Sequence, residues 1–170
     1  MKKILTIFLA MVTVLCLLTA SSSREDVDAA TANAGCKRAI ERAIEYRLGI
    51  ITKDEFYKMH YDAYWQKVDL ESAWAEYLTM ATAYQQEALE YYGENITYTV
   101  SVSNERRLDD QQWETTRTKL DEGADTDKLK DAYMVDFEIA ITGSKQTESS
   151  SGQDATFIYY DGQWYTHTNK

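Results

Sequence analysis

The chain has 170 residues, no proline, and 18 basic against 28 acidic side chains, for a formal net charge of −10. That balance repels phosphate backbones and anionic lipid surfaces, which excludes nucleic acid as an expected partner. Of its two cysteines, Cys16 and Cys36, only the second survives loss of an N-terminal leader. No internal disulfide is then open to it, and packing must hold the domain together.

The N-terminus has the three-part layout of a secretory signal peptide. Lys2 and Lys3 are followed by an uncharged apolar run from Ile4 to Leu18, then by Ala20, Ser21, Ser22 and Ser23. The run is shorter than the roughly 20 residues a spanning helix needs. Residues 1–20 are therefore expected to be cleaved on export, after Ala20 or Ser22. The remaining chain is expected to be secreted or extracytoplasmic, without membrane insertion. Losing Lys2 and Lys3 takes its net charge to −12. Leu18-Thr19-Ala20-Ser21 resembles the bacterial lipoprotein signal, with Ser21 in place of the cysteine that carries the lipid.

Residues 21–33 are polar and acidic and read as a flexible leader, so the expected single domain spans 34–170. A helix is predicted from Ala34, where Cys36, Ala39, Ile40, Ala43, Ile44 and Leu48 recur at helical spacing until Gly49. Thr52-Lys53-Asp54-Glu55 has the spacing of a capping box for a second helix, with a stripe through Phe56, Met59, Ala63 and Tyr64. Asp69 offers an N-cap for a third, whose stripe runs from Leu70 to Leu89 before Gly93 stops it.

The second half changes period. Ile96, Tyr98, Val100 and Val102 alternate with Thr97, Thr99, Ser101 and Ser103, as a half-buried strand does. Asp109 to Leu120 is polar and helix-compatible around Trp113. Tyr133 to Ile141 alternates again, and Ser144 to Gln153 reads as a Ser/Gly-rich loop. Ala155–Tyr160 and Gln163–His167 flank Asp161-Gly162, a two-residue hairpin signal. Helices first and antiparallel strands after define the α+β class, with the N-terminal helices packed on a curved, cone-like sheet.

No assembled chemistry stands out. His60 and His167 lack an orienting partner in the sequence, and general base work needs a group held within hydrogen-bond reach. Asp121, Glu122, Asp125 and Asp127 form an acidic loop, but the twelfth residue from Asp121 is Ala132 rather than a closing Glu. Ser149-Ser150-Ser151-Gly152 lacks the strand-to-helix elbow of a serine nucleophile. Asp136 and Glu138 fall on the strand face opposite Tyr133 and Phe137. Accordingly no catalytic residue, metal or cofactor is assigned. Cys36 lies near a predicted helix start, which would favour a reactive thiol, while a small buried helix residue is the plainer reading.

Aromatic residues are in excess, with 13 Tyr and 4 Trp. Trp74, Tyr77 and Tyr84 fall on the third helix, while Tyr133, Phe137, Tyr160 and Trp164 come from the sheet. Facing one another, they would line a cavity for a small organic ligand or a sugar; otherwise they fill the core. Tyr57, Tyr61 and Tyr64 share a predicted helix face.

The element order, Gly93-Glu94-Asn95-Ile96 before a strand, the strand opened by Tyr133, and the closing Tyr160-Asp161-Gly162-Gln163-Trp164-Tyr165 carry a resemblance. Residues 34–167 resemble small secreted and lipid-anchored proteins of Gram-positive bacteria with a nuclear-transport-factor-2-like, or cystatin-like, fold. The resemblance implies a curved sheet wrapped on helices around a conical cavity. Some members of that fold are isomerase- or cyclase-like enzymes with an acidic or histidine base in the cone, and no such base maps onto this sequence. The expected function is a non-catalytic extracytoplasmic binding or accessory domain for a small organic, sugar, peptide or other cell-wall ligand. The alternatives are an enzyme using a pocket carboxylate or His, and a domain that homodimerises through its outer sheet face.

Overall fold

Capping residues set the helix boundaries in the computed structural model, which describes residues 24–59, 61, 67–120 and 123–167. Helix α1 spans Ala29–Arg47, α2 Lys53–Tyr57, α3 Leu70–Tyr92 and α4 Asp110–Thr118. Asp28, Thr52, Asp69 and Asp109 are their N-caps, each accepting a backbone N–H of the first turn. At α4, Gln112 also reaches back to the Asp109 backbone, completing a capping box. The signal segment, His60, Ala63, Tyr64, Asp121 and Glu122 lie outside the described residues. Among the described residues no helix is long and apolar enough to cross a membrane.

The strands form one antiparallel meander in the order β1-β2-β3-β4, with β1 at Thr97–Arg107, β2 at Leu129–Thr142, β3 at Thr147–Tyr160 and β4 at Gln163–His167. Helices packed on this sheet make the chain α+β, as expected. Asp161 and Gly162 turn the last hairpin with φ of 48° and 80°, both left-handed, as a type I′ turn requires. Register shifts beside Ser103, Leu129 and Val135 mark bulges, which bend and twist a sheet.

Two segments depart from the sequence reading. Residues 24–33 are read there as leader, yet α1 begins at Ala29 and Arg24–Val27 is tied to the sheet. Glu25 N–H donates to the Lys130 carbonyl at 2.9 Å, and Arg24 donates to the carboxylate of the fully buried Asp131 at 3.0 Å. Arg107 meets the same carboxylate at 3.0 Å, so one internal anion gathers the segment and two strands. Composition hides this, because a polar segment docks here through charge rather than apolar area.

The second departure is the Ser/Gly-rich loop. Only residues 143–146 connect the strands, and Thr147 to Gly152 pair with β2 from Thr142 back to Phe137. Ladder hydrogen bonds from an already apolar β2 hold a partner that has no hydrophobic period of its own. Gly152 fits because a Cβ there would lie 2.4 Å from the Phe137 ring.

The core has three parts. Cys36, Ile40 and Ile44 of α1 pack on Val100, Tyr133, Val135, Phe157 and Trp164 of the sheet. Below the other sheet face lie Leu108, Trp113, Leu129, Ile158, Tyr160 and Tyr165. Between the helices, Ile51, Phe56, Tyr77 and Ala81 form a third cluster, joined by Tyr46, Trp74 and Tyr84. Buried Arg42 ties α1 to β4, its guanidinium donating to the Trp164 carbonyl at 2.7 Å and the Lys58 carbonyl at 2.8 Å.

Candidate ligand cavity at the open end of the sheet

Helix α1 runs along one face of the sheet with Asn33 beside Val102 and Glu45 beside Tyr98. Its second half presents Ile40, Ala43, Ile44 and Arg47 at spacings of three and four, one helical face. Opposite them stand Phe137, Ile139 and Ile141 of β2, alternate residues that share the side facing α1. In the ladder, Phe137, Ile139 and Ile141 pair with Gly152, Ser150 and Glu148 of β3. Three positions that could carry large apolar groups thus carry small or charged ones, and a cavity of about 700 Å³ is left between helix and sheet. Its size falls within the roughly 300–1,000 Å³ of small-ligand sites.

Half of the lining is apolar, and its charged groups, Arg47, Glu148 and Asp154, are exposed. Ile40, Ala43, Ile44, Phe137, Ile139, Ile141, Ala155 and Phe157 line the body; Arg47, Tyr92, Glu148, Ser150, Asp154, Thr156, Thr166 and His167 complete the lining. The Tyr92 hydroxyl donates to Glu148 Oε2 at 2.8 Å. Burial, with that carboxylate adding to it, pushes the phenol up to about 12, so it stays a neutral donor. Asp154 is paired with Arg106. Arg47 is exposed, in the last turn of α1, where a cation complements the helix dipole. His167 is buried and pairs with Thr156 in the β3–β4 ladder.

The structure distributes the sequence-predicted aromatics among all three clusters. Trp74, Tyr77 and Tyr84 gather around Tyr46 and Phe56; the Tyr46 and Tyr77 rings are 4.8 Å apart and those of Phe56 and Trp74 5.3 Å. Tyr133 and Trp164 pack edge to face at 5.9 Å in the main core, and Tyr160 meets Tyr61 at 5.1 Å in the second cluster. The helix and sheet sets do not face one another, because α1 lies between them. Tyr46 projects to the α3 side while Ile44, about 200° away at 100° per residue, faces the sheet. Of the seven, Phe137 lines the cavity.

Other candidates find plain structural places. Cys36 sits well inside α1 because the helix starts at Ala29, and burial, with Glu105 adding to it, pushes the thiol up to about 12. It is a packed, protonated core residue. Asp136 accepts from Asn104 at 2.7 Å and from the Asp154 N–H at 3.0 Å; these bonds hold its carboxyl below the usual range. Glu138 is exposed between Ser101 and Ser151, and neither carboxylate lines the main cavity. Asp125 caps a short 3₁₀ turn by accepting from the Asp127 N–H. Among the described residues no group of three or more His, Cys, Asp or Glu could hold a metal. Tyr57 donates to Glu71 at 3.0 Å, whereas Tyr61 is buried, so the two do not form a shared platform.

Sequence reasoning missed the cavity's principal walls. The signal was available: the Ile40/Ala43/Ile44/Arg47 stripe and the Phe137/Ile139/Ile141 alternation flank a run, Ser149 to Gly152, with no side chain large enough to fill the space between. Fold and cavity together define a class, an α+β domain with helices on a four-stranded antiparallel sheet and an apolar pocket at one end. Compared with protein-family models, with curated proteins and with solved structures, the chain matches none.

Proposed function

We propose that the chain is an exported, non-catalytic binding domain whose ligand seats an apolar group in the cavity between α1 and β2–β3. The observation that carries this is the pairing of eight apolar wall residues with a polar rim around about 700 Å³ of space. Apolar walls with a few polar groups at the mouth suit a ligand with a hydrophobic body and a polar end. Export rests on the basic, apolar and small-residue succession of residues 2–23. A catalytic reading has less to stand on. Two carboxylates line the cavity, but Glu148 is engaged by Tyr92 and Asp154 by Arg106.

The test is binding of N-phenyl-1-naphthylamine, a neutral apolar fluorophore, to the chain and to an Ala43→Trp variant. Ala43 lines the cavity from the exposed face of α1, so an indole there fills the space without displacing core. The original chain should bind the probe and gain about 2.7 kcal/mol of stability at 100 times the dissociation constant. The variant should fold with unchanged stability and bind at least tenfold more weakly. Equal binding by both proteins, or none by either, would remove this reading.

A further inference from the structure

Among the described residues β4 is much shorter than its partner β3. It pairs with Thr156 to Tyr160 of β3, and among the described residues β3 from Thr147 to Ala155 pairs with β2 alone. A free strand edge presents backbone N–H and C=O groups at every second residue and is a template for another strand. Proteins commonly block such edges with lysine or proline. Neither occurs in β3. The left-handed Asp154, with φ of 54°, kinks the edge next to the point where β4 stops and leaves Thr147 to Gly152 extended.

This edge is also a flank of the cavity, since Ser150, Asp154, Ala155 and Thr156 belong to its lining. A strand added in line with β4 would alternate its side chains as β4 does. Trp164 of β4 packs with the α1 cluster, and the next residue, Tyr165, packs in the cluster on the other face. Continued past His167, that alternation sends every second side chain over Ile40, Ala43 and Ile44. The intervening ones point to the outer face, where Asp136, Glu138, Ser149 and Ser151 lie. Strand β3 carries no basic residue, Glu138 is exposed on that outer face, and the whole chain is at −10.

Resting on the cavity reading above, we propose that the ligand is an extended cationic peptide. Its backbone adds to the edge of β3, apolar side chains at alternate positions enter the cavity, and Lys or Arg between them meet the outer face around Glu138. Main-chain bonds supply affinity and the pocket supplies selectivity, as in other strand-addition modes. The open edge accommodates about six residues, roughly 20 Å at 3.3 Å each.

The experiment uses the full chain and acetylated, amidated Lys-Val-Lys-Val-Lys-Val as probe. It is followed by calorimetry and by displacement of N-phenyl-1-naphthylamine. The peptide should bind and displace the fluorophore, and Glu-Val-Glu-Val-Glu-Val should bind at least tenfold more weakly. N-methylation of one alternate set of residues should cost at least tenfold, and methylation of the other set should cost little. Fluorophore binding without displacement by the Lys/Val peptide overturns the peptide proposal and leaves the cavity reading standing. So does equal binding of the Lys and Glu peptides, or indifference to methylation of either set. If the fluorophore itself does not bind, both readings fall together.

Discussion

The two ends of the sheet are built from the same strands and differ in what β3 offers. At the end near the hairpin, β3 contributes Phe157, Ile158 and Tyr160, all buried, and β4 covers its edge. At the far end it contributes Glu148, Ser150 and Gly152 against a β2 that stays apolar, and among the described residues no strand covers its edge. One end is filled on both faces and the other encloses a cavity. Topology is shared, so side-chain volume on one strand decides where space is left. The closed end also carries the buried anion Asp131 between Arg24 and Arg107, whereas charges at the open end sit on the rim.

Asp131→Ala should show the largest difference between the two ends. It leaves two arginines without their shared carboxylate and frees Arg24–Val27 from the sheet. Removing one partner of a buried ion pair costs about 3–5 kcal/mol. Ile139→Ala at the open end removes a half-buried side chain that already borders empty space, and should cost about 1 kcal/mol. Urea unfolding of the two variants checks the ordering, and equal costs would mean that the ends are equally packed. Glycine substitutions give a smaller contrast. A Cβ at Gly35 would lie 1.9 Å from the Trp164 ring, which Tyr133 and Tyr159 hold on either side. Gly35→Ala should therefore cost about 1–3 kcal/mol by overpacking. Gly152→Ala meets the far edge of the Phe137 ring at 2.4 Å, but that ring can swing into the cavity. Its cost should stay below about 1 kcal/mol, with weaker probe binding as the space fills.

Much of the fold was legible in the sequence because its residues announce their period. Tyr133 to Ile141 alternates, Asp161-Gly162 marks the hairpin turn, and Thr52 and Asp69 mark helix starts; all appear as expected. The open end was not legible, for the reason that makes it open. Ser149-Ser150-Ser151-Gly152 has no hydrophobic signal, and its strand identity comes wholly from pairing with β2. Its emptiness likewise depends on register, which sets Ser150 against Ile139 and Gly152 against Phe137. The docking of Arg24 was hidden too, since nothing local tells that Asp131, more than 100 positions later, is buried. Aromatic side chains were conspicuous in the sequence but mostly fill clusters, and six of the eight apolar residues in the cavity wall are aliphatic.

The smallest contrast concerns ionisation. Cys36 belongs to the filled part of the α1 interface, and burial raises its thiol from 9.0 to about 12. A raised value means that folding favours the protonated form. The stabilisation is fully present below pH 9, declines as the unfolded thiol ionises above it, and is lost as pH rises through about 12. Tyr77, Tyr92 and Tyr98, also raised to about 12, weaken the fold over an overlapping alkaline range, so absolute stability alone does not isolate the cysteine. Comparison with Cys36→Ala does, because both proteins share those tyrosines. The stability gap between them should shrink by about 1 kcal/mol from pH 8 to pH 10. An Ala43→Cys thiol, exposed in the cavity mouth, should instead alkylate at the rate of a free cysteine, while Cys36 in the same chain stays unmodified by mass mapping at pH 8. If the Cys36 thiol reacts as fast as the one at position 43, water reaches both places alike and the distinction between a sealed and an open end is lost.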